Sequence, residues 1–150
     1  MDRNTTIYSS FKLMSVITMK MRKNVESVLK TMDLTYPQFG ALSALKNNSG
    51  ITQKDLALNL ETDTTTTMVI CDSLEKKKFI KRVADKSDRR VNRLEITDAG
   101  VKILDSALPA VIKLYTPLMS SIPNEEWEIL ESSMRKIYNS VDSLTSSHKD

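Results

Sequence analysis

Apolar side chains recur at steps of three and four along residues 7–32, and this spacing predicts one long amphipathic helix. The stretch is rich in methionine, a flexible side chain that fills irregular gaps in protein cores. Core packing is therefore the simpler interpretation, and an adaptable ligand pocket is the alternative. The predicted apolar face consists of Phe11, Met14, Ile17, Met21, Val25, Val28 and Met32.

Three shorter helices are predicted downstream. The first covers about 37–46 and ends at the Asn-Asn-Ser-Gly turn of 47–50. Thr52 is predicted to cap the second, because Asp55 follows it at the spacing of a capping box. The third covers about 64–77 and begins with four threonines, which suit a first helical turn better than a helix interior. The apolar positions of these helices are Phe39, Leu42, Leu45, Leu56, Ala57, Leu60, Met68, Ile70, Cys71 and Leu74.

Two strand-like runs, 79–83 and 91–96, flank a charged seven-residue link. Their alternation of apolar and polar residues is imperfect, as expected of a two-stranded ribbon with one packed face. The link is too long for a tight hairpin turn, and it contains Asp85, Lys86, Asp88, Arg89 and Arg90.

The C-terminal third is predicted to form two helices. Thr97-Asp98 caps a long helix from about residue 98, which Pro109 and Pro117 are expected to kink or interrupt. The last helix begins near Pro123, and its apolar residues form a heptad seam over almost three repeats. A partner subunit is a good candidate to cover this seam, because the lobe between 35 and 97 is small. The seam contains Trp127, Leu130, Met134, Ile137, Val141 and Leu144.

Composition excludes several kinds of chemistry. Cys71 is the single cysteine, so an intramolecular disulfide and a cysteine-cluster metal site are excluded. The only histidine is His148, so His-based general-base chemistry and His-rich zinc sites are not expected. No cofactor is predicted. No apolar run approaches the roughly 18 residues of a membrane helix, and the chain does not start with a signal peptide. The expectation is a cytoplasmic protein that does not use a membrane.

The positive charge of the chain is concentrated in one segment. Nine lysines and arginines lie between Lys76 and Arg93, against only Asp85 and Asp88, so this segment carries +7 while the whole chain carries +3. A local basic stripe indicates a polyanionic partner at one site, although a charge run alone is more often a solvated face.

The order of elements favours a polyanionic partner over a merely solvated charged face. Two short helices followed by a small hairpin form a helix-turn-helix with a wing, so the fold class is mainly α with a small β-wing. The second helix of such a unit enters the major groove, and an arginine at the wing tip can reach the narrow minor groove. Thr64, Thr65 and Thr66 are placed to contact phosphates or base edges.

Several motifs in this order resemble the multiple antibiotic resistance regulator (MarR) family. They are TQKDLA at 52–57, LEKKKFIKR at 74–82, DRR at 88–90 and LEITDAG at 94–100. The resemblance implies a homodimeric winged helix-turn-helix regulator that binds double-stranded DNA, usually a repressor acting on a near-palindromic operator. It also implies a single domain over 1–150, with the DNA-binding lobe at 35–99 and dimerisation helices at 1–34 and 100–150.

The resemblance and the residue chemistry together assign site residues. In the wing, Asp88 is expected to hold Arg90, which reaches the minor groove. An effector pocket for a small apolar or anionic aromatic molecule is expected near Met14, Met21, Tyr36 and Phe39, where core packing is an equal explanation. Dimer contacts are expected at Phe11 and along the seam from Trp127 to Leu144. The predicted DNA contacts are Thr52, Gln53, Thr64, Thr65, Thr66, Met68, Lys76, Lys86, Asp88, Arg89 and Arg90.

The chain departs from the family pattern at four positions. Glu61 and Lys78 stand where the family usually has glycine in a turn. Val69 stands where the family often has arginine, and another basic residue is common near Ser73. Direct base recognition should therefore be weak, and phosphate contacts and wing insertion should dominate. The alternative function is a protein-interaction winged helix that does not bind specific DNA. An enzyme is third, because the chain lacks catalytic candidates.

Overall fold

The computed structural model describes residues 2–85, 87, 88 and 91–146, without the side chains of Arg3 and of 142–146. Its helices and strands confirm the mainly α fold with a small β-wing. The described chain divides into two compact units, residues 1–114 and 115–150. The elements are α1 Arg3–Lys30, α2 Tyr36–Asn47, β1 Ile51–Thr52, α3 Gln53–Asn59, α4 Thr64–Lys76, β2 Ile80–Ala84, β3 Asn92–Ile96, α5 Asp98–Met119 and α6 Asn124–Ser146.

The sheet has three strands, in the order β1-β3-β2, where the sequence predicted two. In this antiparallel sheet, the two-residue strand β1 pairs Ile51 with Leu94 and Thr52 with Arg93. The amide of Gly50 extends the pairing by donating to the carbonyl of Leu94 at 3.0 Å. A strand of two residues is too short to show alternation, so its existence depends on this pairing and not on a sequence pattern.

One continuous hydrophobic core fills the first unit. It joins the C-terminal half of α1 to α2, α3, α4, the sheet and the first half of α5. Leu29, Leu42 and Leu74 are completely buried within it. Removing a leucine side chain from such a site typically costs about 2–5 kcal/mol. The buried members of this core are Val25, Leu29, Leu34, Ala41, Leu42, Leu45, Leu56, Ile70, Cys71, Leu74, Ile80, Leu94, Leu104, Ala107 and Val111.

Helices α3 and α4 both end in a left-handed turn made by a residue other than glycine. Glu61 follows α3 with φ 50° and Lys78 follows α4 with φ 61°. After α4, the amides of Lys78 and Phe79 donate to the carbonyls of Glu75 and Leu74 at 2.8 and 2.9 Å, the hydrogen-bond pattern of a Schellman motif. Both turns thus keep the left-handed backbone that the family usually builds with glycine. Because Glu61 and Lys78 carry a Cβ, the strain of this conformation remains.

Relieving this strain should stabilise the protein. We expect Lys78→Gly to be more stable than Lys78→Ala by about 1 kcal/mol, because both variants remove the charged side chain and only glycine removes the Cβ. Urea unfolding of the two variants measures the difference directly. Equal midpoints for the glycine and alanine variants would contradict the strain.

Helix α5 runs without interruption from Asp98 to Met119, so the predicted interruption at its prolines is wrong, while the alternative of a kink stays a prediction. Proline removes one helical hydrogen bond and crowds the preceding turn, at a cost of about 3 kcal/mol. Packing of the helix offsets this cost, because Leu104, Ala107 and Val111 are buried. The predicted cap at the start of α5 is confirmed, since the Thr97 hydroxyl accepts a hydrogen bond from the Gly100 amide at 3.1 Å.

The second unit contains α6, which exposes much of its apolar seam. The exposed fraction is 40% for Leu130, 48% for Met134, 38% for Ile137 and 47% for Val141. Trp127 is half-buried, and it lines an open groove together with Leu130 and Met134. The side chain of Leu144 and the whole of His148 lie outside the described residues. The face predicted from the heptad spacing therefore exists as an apolar surface on one protomer.

Candidate nucleic-acid interface

Helices α3 and α4 form the predicted helix-turn-helix. The capping box at the start of α3 is confirmed: the Asp55 amide donates to the Thr52 hydroxyl at 3.2 Å, and the Thr52 amide donates to Asp55 Oδ2 at 3.1 Å. Thr52 hydrogen bonds also lower the pKa of the Asp55 carboxyl. The Gln53 side chain then donates to the carbonyl of Thr64 at 3.3 Å and so joins the N-terminal ends of the two helices.

Asp63 caps the N-terminus of α4, a role that sequence reasoning missed. Its carboxylate accepts from the Thr66 amide at 2.8 Å and from the Thr66 hydroxyl at 2.6 Å, which lowers its pKa. The Thr66 hydroxyl is thus already engaged, and Thr67 is fully buried. Thr64 and Thr65 are exposed in the first turn. An aspartate directly before a run of helix positions was the available signal for this cap.

The outward side of α4 continues with apolar side chains. Met68 is 45% exposed and Val69 is 62% exposed, while Lys76 is exposed in the last turn. Asp72 lies between them and forms an ion pair with Arg82 at 2.6 Å. Arg82 also pairs with Glu75, so this arginine of β2 clamps the wing strand to α4.

The wing is organised around Asp85. Its carboxylate pairs with Arg93 across the hairpin and accepts hydrogen bonds from the Ser87 amide at 2.8 Å and the Asp88 amide at 3.1 Å. These hydrogen bonds, led by that of the Ser87 side chain, hold the pKa of Asp85 well below its usual range. Arg93 in turn donates to the carbonyl of Gly50 at 2.8 Å, which ties the base of the wing to β1.

The predicted tip residues Lys86, Arg89 and Arg90 lie outside the described residues, and so does the predicted contact between Asp88 and Arg90. Asp88 itself is exposed, and its carbonyl accepts from the Val91 amide at 3.0 Å. The described part of the hairpin is therefore a base that the pair of Asp85 and Arg93 braces.

Much of the basic stripe is paired with acids, most of which lie outside the stripe in the sequence. Within the described residues, Lys77 pairs with Asp33 at 3.0 Å and Lys81 pairs with Glu95 at 3.0 Å, in addition to the pairs of Arg82 and Arg93. Among the described basic residues of the stripe, Lys76 and Lys78 form no such pair. The charge count along the sequence therefore overstates the cationic surface that a polyanion would meet.

Polar contacts also hold α4 against α2 and the turn that precedes α2. Gln38 is buried at the start of α2, and its side-chain amide donates to the Ser73 hydroxyl at 2.8 Å. Lys77 reaches the turn between α1 and α2 through its pair with Asp33. These polar contacts set the position of α4 relative to α2, and no sequence pattern indicated them.

Cys71 is buried on the inner side of α4, as predicted. Burial raises the pKa of its thiol to about 11, so the thiol is protonated at neutral pH and is a poor nucleophile. Its role in the described structure is packing.

The residues predicted for an effector pocket lie on α1 and α2. Met14 and Met21 are half-buried, and Phe39 packs against the core of the first unit. Tyr36 is 41% exposed, and the Arg22 guanidinium lies 5.2 Å from the centre of its ring. Phe11 is 48% exposed on α1. Arg22 was not among the predicted pocket residues.

Two further properties concern only the part of the chain that the structure describes. No helix in it is long and apolar enough to span a bilayer. No cluster of three or more metal-ligating side chains occurs among the same residues.

The sequence of this chain is similar to a known protein family and to several transcriptional regulators. The model of the MarR family matches residues 34–91. The helix-turn-helix type transcriptional regulator YdcH of Bacillus subtilis is 33% identical over 113 residues, which cover 73% of this chain and 77% of that protein. The transcriptional repressor MprA of Escherichia coli K12 is 29% identical over 127 residues, covering 83% of this chain and 72% of that one.

The fold is also similar to a solved complex. The crystal structure of the Staphylococcus aureus MepR–DNA complex superposes with a TM-score of 0.78 at 26% identity, covering 86% of this chain and 94% of that one.

Proposed function

Because this chain belongs to the MarR family, we propose that it is a DNA-binding transcriptional regulator that works as a homodimer. The observation that carries the proposal is the pairing of an exposed outer face on α4 with a wing whose base is braced by Asp85 and Arg93. A helix for the major groove and a projecting tip for the adjacent minor groove are the two contacts of a winged helix. The DNA complex of the similar protein MepR supports this arrangement.

The proposed DNA contacts lie on the helix-turn-helix and on the wing. On the helix-turn-helix they are Thr52, Gln53, Thr64, Thr65, Thr66, Met68 and Lys76. On the wing they are Lys86, Asp88, Arg89 and Arg90, where Arg90 enters the minor groove. The structure supports the first set by placing these residues at the N-terminal ends of α3 and α4 and on the outer side of α4.

The dimer is proposed to form through residues 1–34 and 100–150, with 35–99 as the DNA-binding lobe. The exposed apolar seam of α6 supports this division, because such a surface favours association. A two-fold dimer implies a near-palindromic operator with half-sites about one helical turn apart. Repression in the cytoplasm is the proposed mode, in line with the name of the similar repressor MprA. A small apolar or anionic aromatic effector near Met14, Met21, Tyr36 and Phe39 completes the proposal.

Salt dependence of binding tests the proposed DNA contact. If Lys76, Lys86 and Arg89 of each subunit contact phosphate, the dimer makes six contacts and log K should fall against log salt with a slope of about −5. Fluorescence anisotropy of a labelled duplex between 50 and 300 mM salt, roughly the accessible range, gives the slope. A slope near zero would reject a polyanionic partner.

Single variants sharpen this measurement. Lys76→Ala should flatten the slope by about two units, one for each subunit, because it removes one phosphate contact per protomer. Lys136→Ala on α6 is the matched control and should leave the slope unchanged, since this exposed lysine lies outside the stripe. Equal slopes for the Lys76 variant and the wild type would contradict the assigned contact.

A further inference from the structure

The outer face of α4 has an unusual chemical composition for a DNA-reading helix. In its first two turns, the exposed side chains are Thr64, Thr65, Thr66, Met68 and Val69. None of them is arginine, lysine, asparagine or glutamine, the residues that pair bidentately with guanine or adenine in the major groove. What these side chains offer instead is methyl groups and a thioether.

The polar groups next to this face are occupied within the protein. The Thr66 hydroxyl is bound to Asp63 at 2.6 Å, Asp72 is paired with Arg82 at 2.6 Å, and Ser73 accepts from Gln38 at 2.8 Å. Among the exposed hydroxyls of the first two turns of α4, only those of Thr64 and Thr65 have no hydrogen bond to another side chain within the described residues. Hydrogen-bond readout from the first two turns of this helix is therefore restricted to two weak, rotatable groups.

The exposed apolar groups are adjacent and project from one side of the helix. Met68 and Val69 lie one turn after Thr64 and Thr65, which places all four on one stripe of the surface. Val69 is 62% exposed in the protomer, whereas the next two residues of α4, Ile70 and Cys71, are buried in the core. Burying this stripe against an apolar partner is favourable, and burying it against a polar base edge is not.

Only one group in the major groove meets this requirement. The edges of adenine, guanine and cytosine present polar donors and acceptors there, and thymine alone adds a C5 methyl group. From this match, which rests on the proposed DNA-binding function, we infer that Met68 and Val69, with the methyl groups of Thr64 and Thr65, read thymine methyls. Specificity in each half-site thus depends on methyl contacts with thymine.

Deoxyuridine provides a direct test, because it differs from thymidine by the C5 methyl alone. A preferred duplex is first selected from a randomised library with the wild-type protein. Each thymine of the half-sites is then replaced by uracil, and the dissociation constants are compared. Loss of one buried methyl corresponds to about a fourfold weakening, so two symmetric replacements should weaken dimer binding about 16-fold.

Variants identify the side chains that read the methyl. Val69→Ala and Met68→Ala should each bring the thymine-to-uracil ratio towards one at the position that they contact, while binding to a scrambled duplex stays unchanged. Both side chains are exposed, so neither change should unfold the lobe. Leu58→Ala is the matched control, since Leu58 is 70% exposed on α3 and lies outside this stripe; its ratio should equal that of the wild type.

The outcomes separate this inference from the proposed function. A 16-fold loss that Val69→Ala or Met68→Ala abolishes supports methyl readout. Specific binding with equal affinity for thymine and uracil duplexes overturns methyl readout and leaves DNA binding intact. Discrimination that persists undiminished in both alanine variants overturns the assignment of methyl readout to Met68 and Val69. Absence of binding to any duplex rejects the proposed function and this inference together.

Discussion

Ile137→Asp should convert the proposed homodimer into a monomer. Ile137 is 38% exposed on α6, within an apolar seam that also contains Leu130 and Met134. In a two-fold interface the substitution buries two unpaired carboxylates, one from each protomer, and an uncompensated buried charge costs about 3–5 kcal/mol. The dissociation constant of the dimer should therefore rise by about a thousandfold or more.

Sedimentation equilibrium measures this effect as a mass. The monomer is 17.0 kDa, so the wild type should sediment at about twice this mass and the variant at the monomer mass. Ser132→Asp is the matched control, because Ser132 is exposed and the heptad register puts it opposite the seam. A variant that keeps the mass of the wild type at micromolar concentration would contradict an interface along α6.

Gly100→Ala should be among the most destabilising single-methyl changes in the chain. A Cβ at this position would lie 2.1 Å from the carbonyl oxygen of Phe79 and 2.8 Å from a side-chain carbon of Ile96. The same oxygen accepts a hydrogen bond from the Thr97 amide at 3.0 Å, so it cannot move away freely. We expect a loss of about 3 kcal/mol, the upper end of the usual cost of overpacking.

Gly40→Ala provides a control for this prediction. Gly40 lies inside α2, and a Cβ there would be 3.4 Å from a side-chain carbon of Leu60, within ordinary contact distance. Alanine favours a helix over glycine by about 1 kcal/mol, so this variant should be neutral or more stable than the wild type. Urea unfolding midpoints of both variants make the comparison, and a Gly100→Ala midpoint equal to that of the wild type would show that α5 does not pack on Phe79 in this way.

Sequence patterns predicted the helical part of the candidate site well, because the interactions that form it join residues close in the chain. The capping box of Thr52 and Asp55 acts over three residues, and the apolar spacing that buries Ile70, Cys71 and Leu74 acts over one helical turn. Such signals are complete within a short window of chain. The exposure of Thr64 and Thr65 follows from the same window, because the opposite side of the helix is the apolar one.

The electrostatics of the site could not be predicted in this way. The partners of the basic stripe include Asp33 and Asp72, and the Lys77–Asp33 pair joins residues 44 positions apart. The stripe looks uniformly cationic along the chain, although most of its described members are paired in the fold. A charge count along the sequence includes only residues that are close in the chain. The electrostatic field at the protein surface depends on all charges that are close in space.

The sequence by itself determined the order of the six helices and the two wing strands, the helix caps at Thr52 and Thr97, and the family, because each depends on local spacing. Only the tertiary structure decided that Ile51-Thr52 forms a third strand, that α5 continues through its prolines, and that Asp85 braces the wing. In each of these cases the deciding contact lies beyond the short window in which a sequence pattern acts. Backbone pairing, packing that offsets the cost of a proline, and a cross-hairpin ion pair gain their free energy only after the chain has folded back on itself.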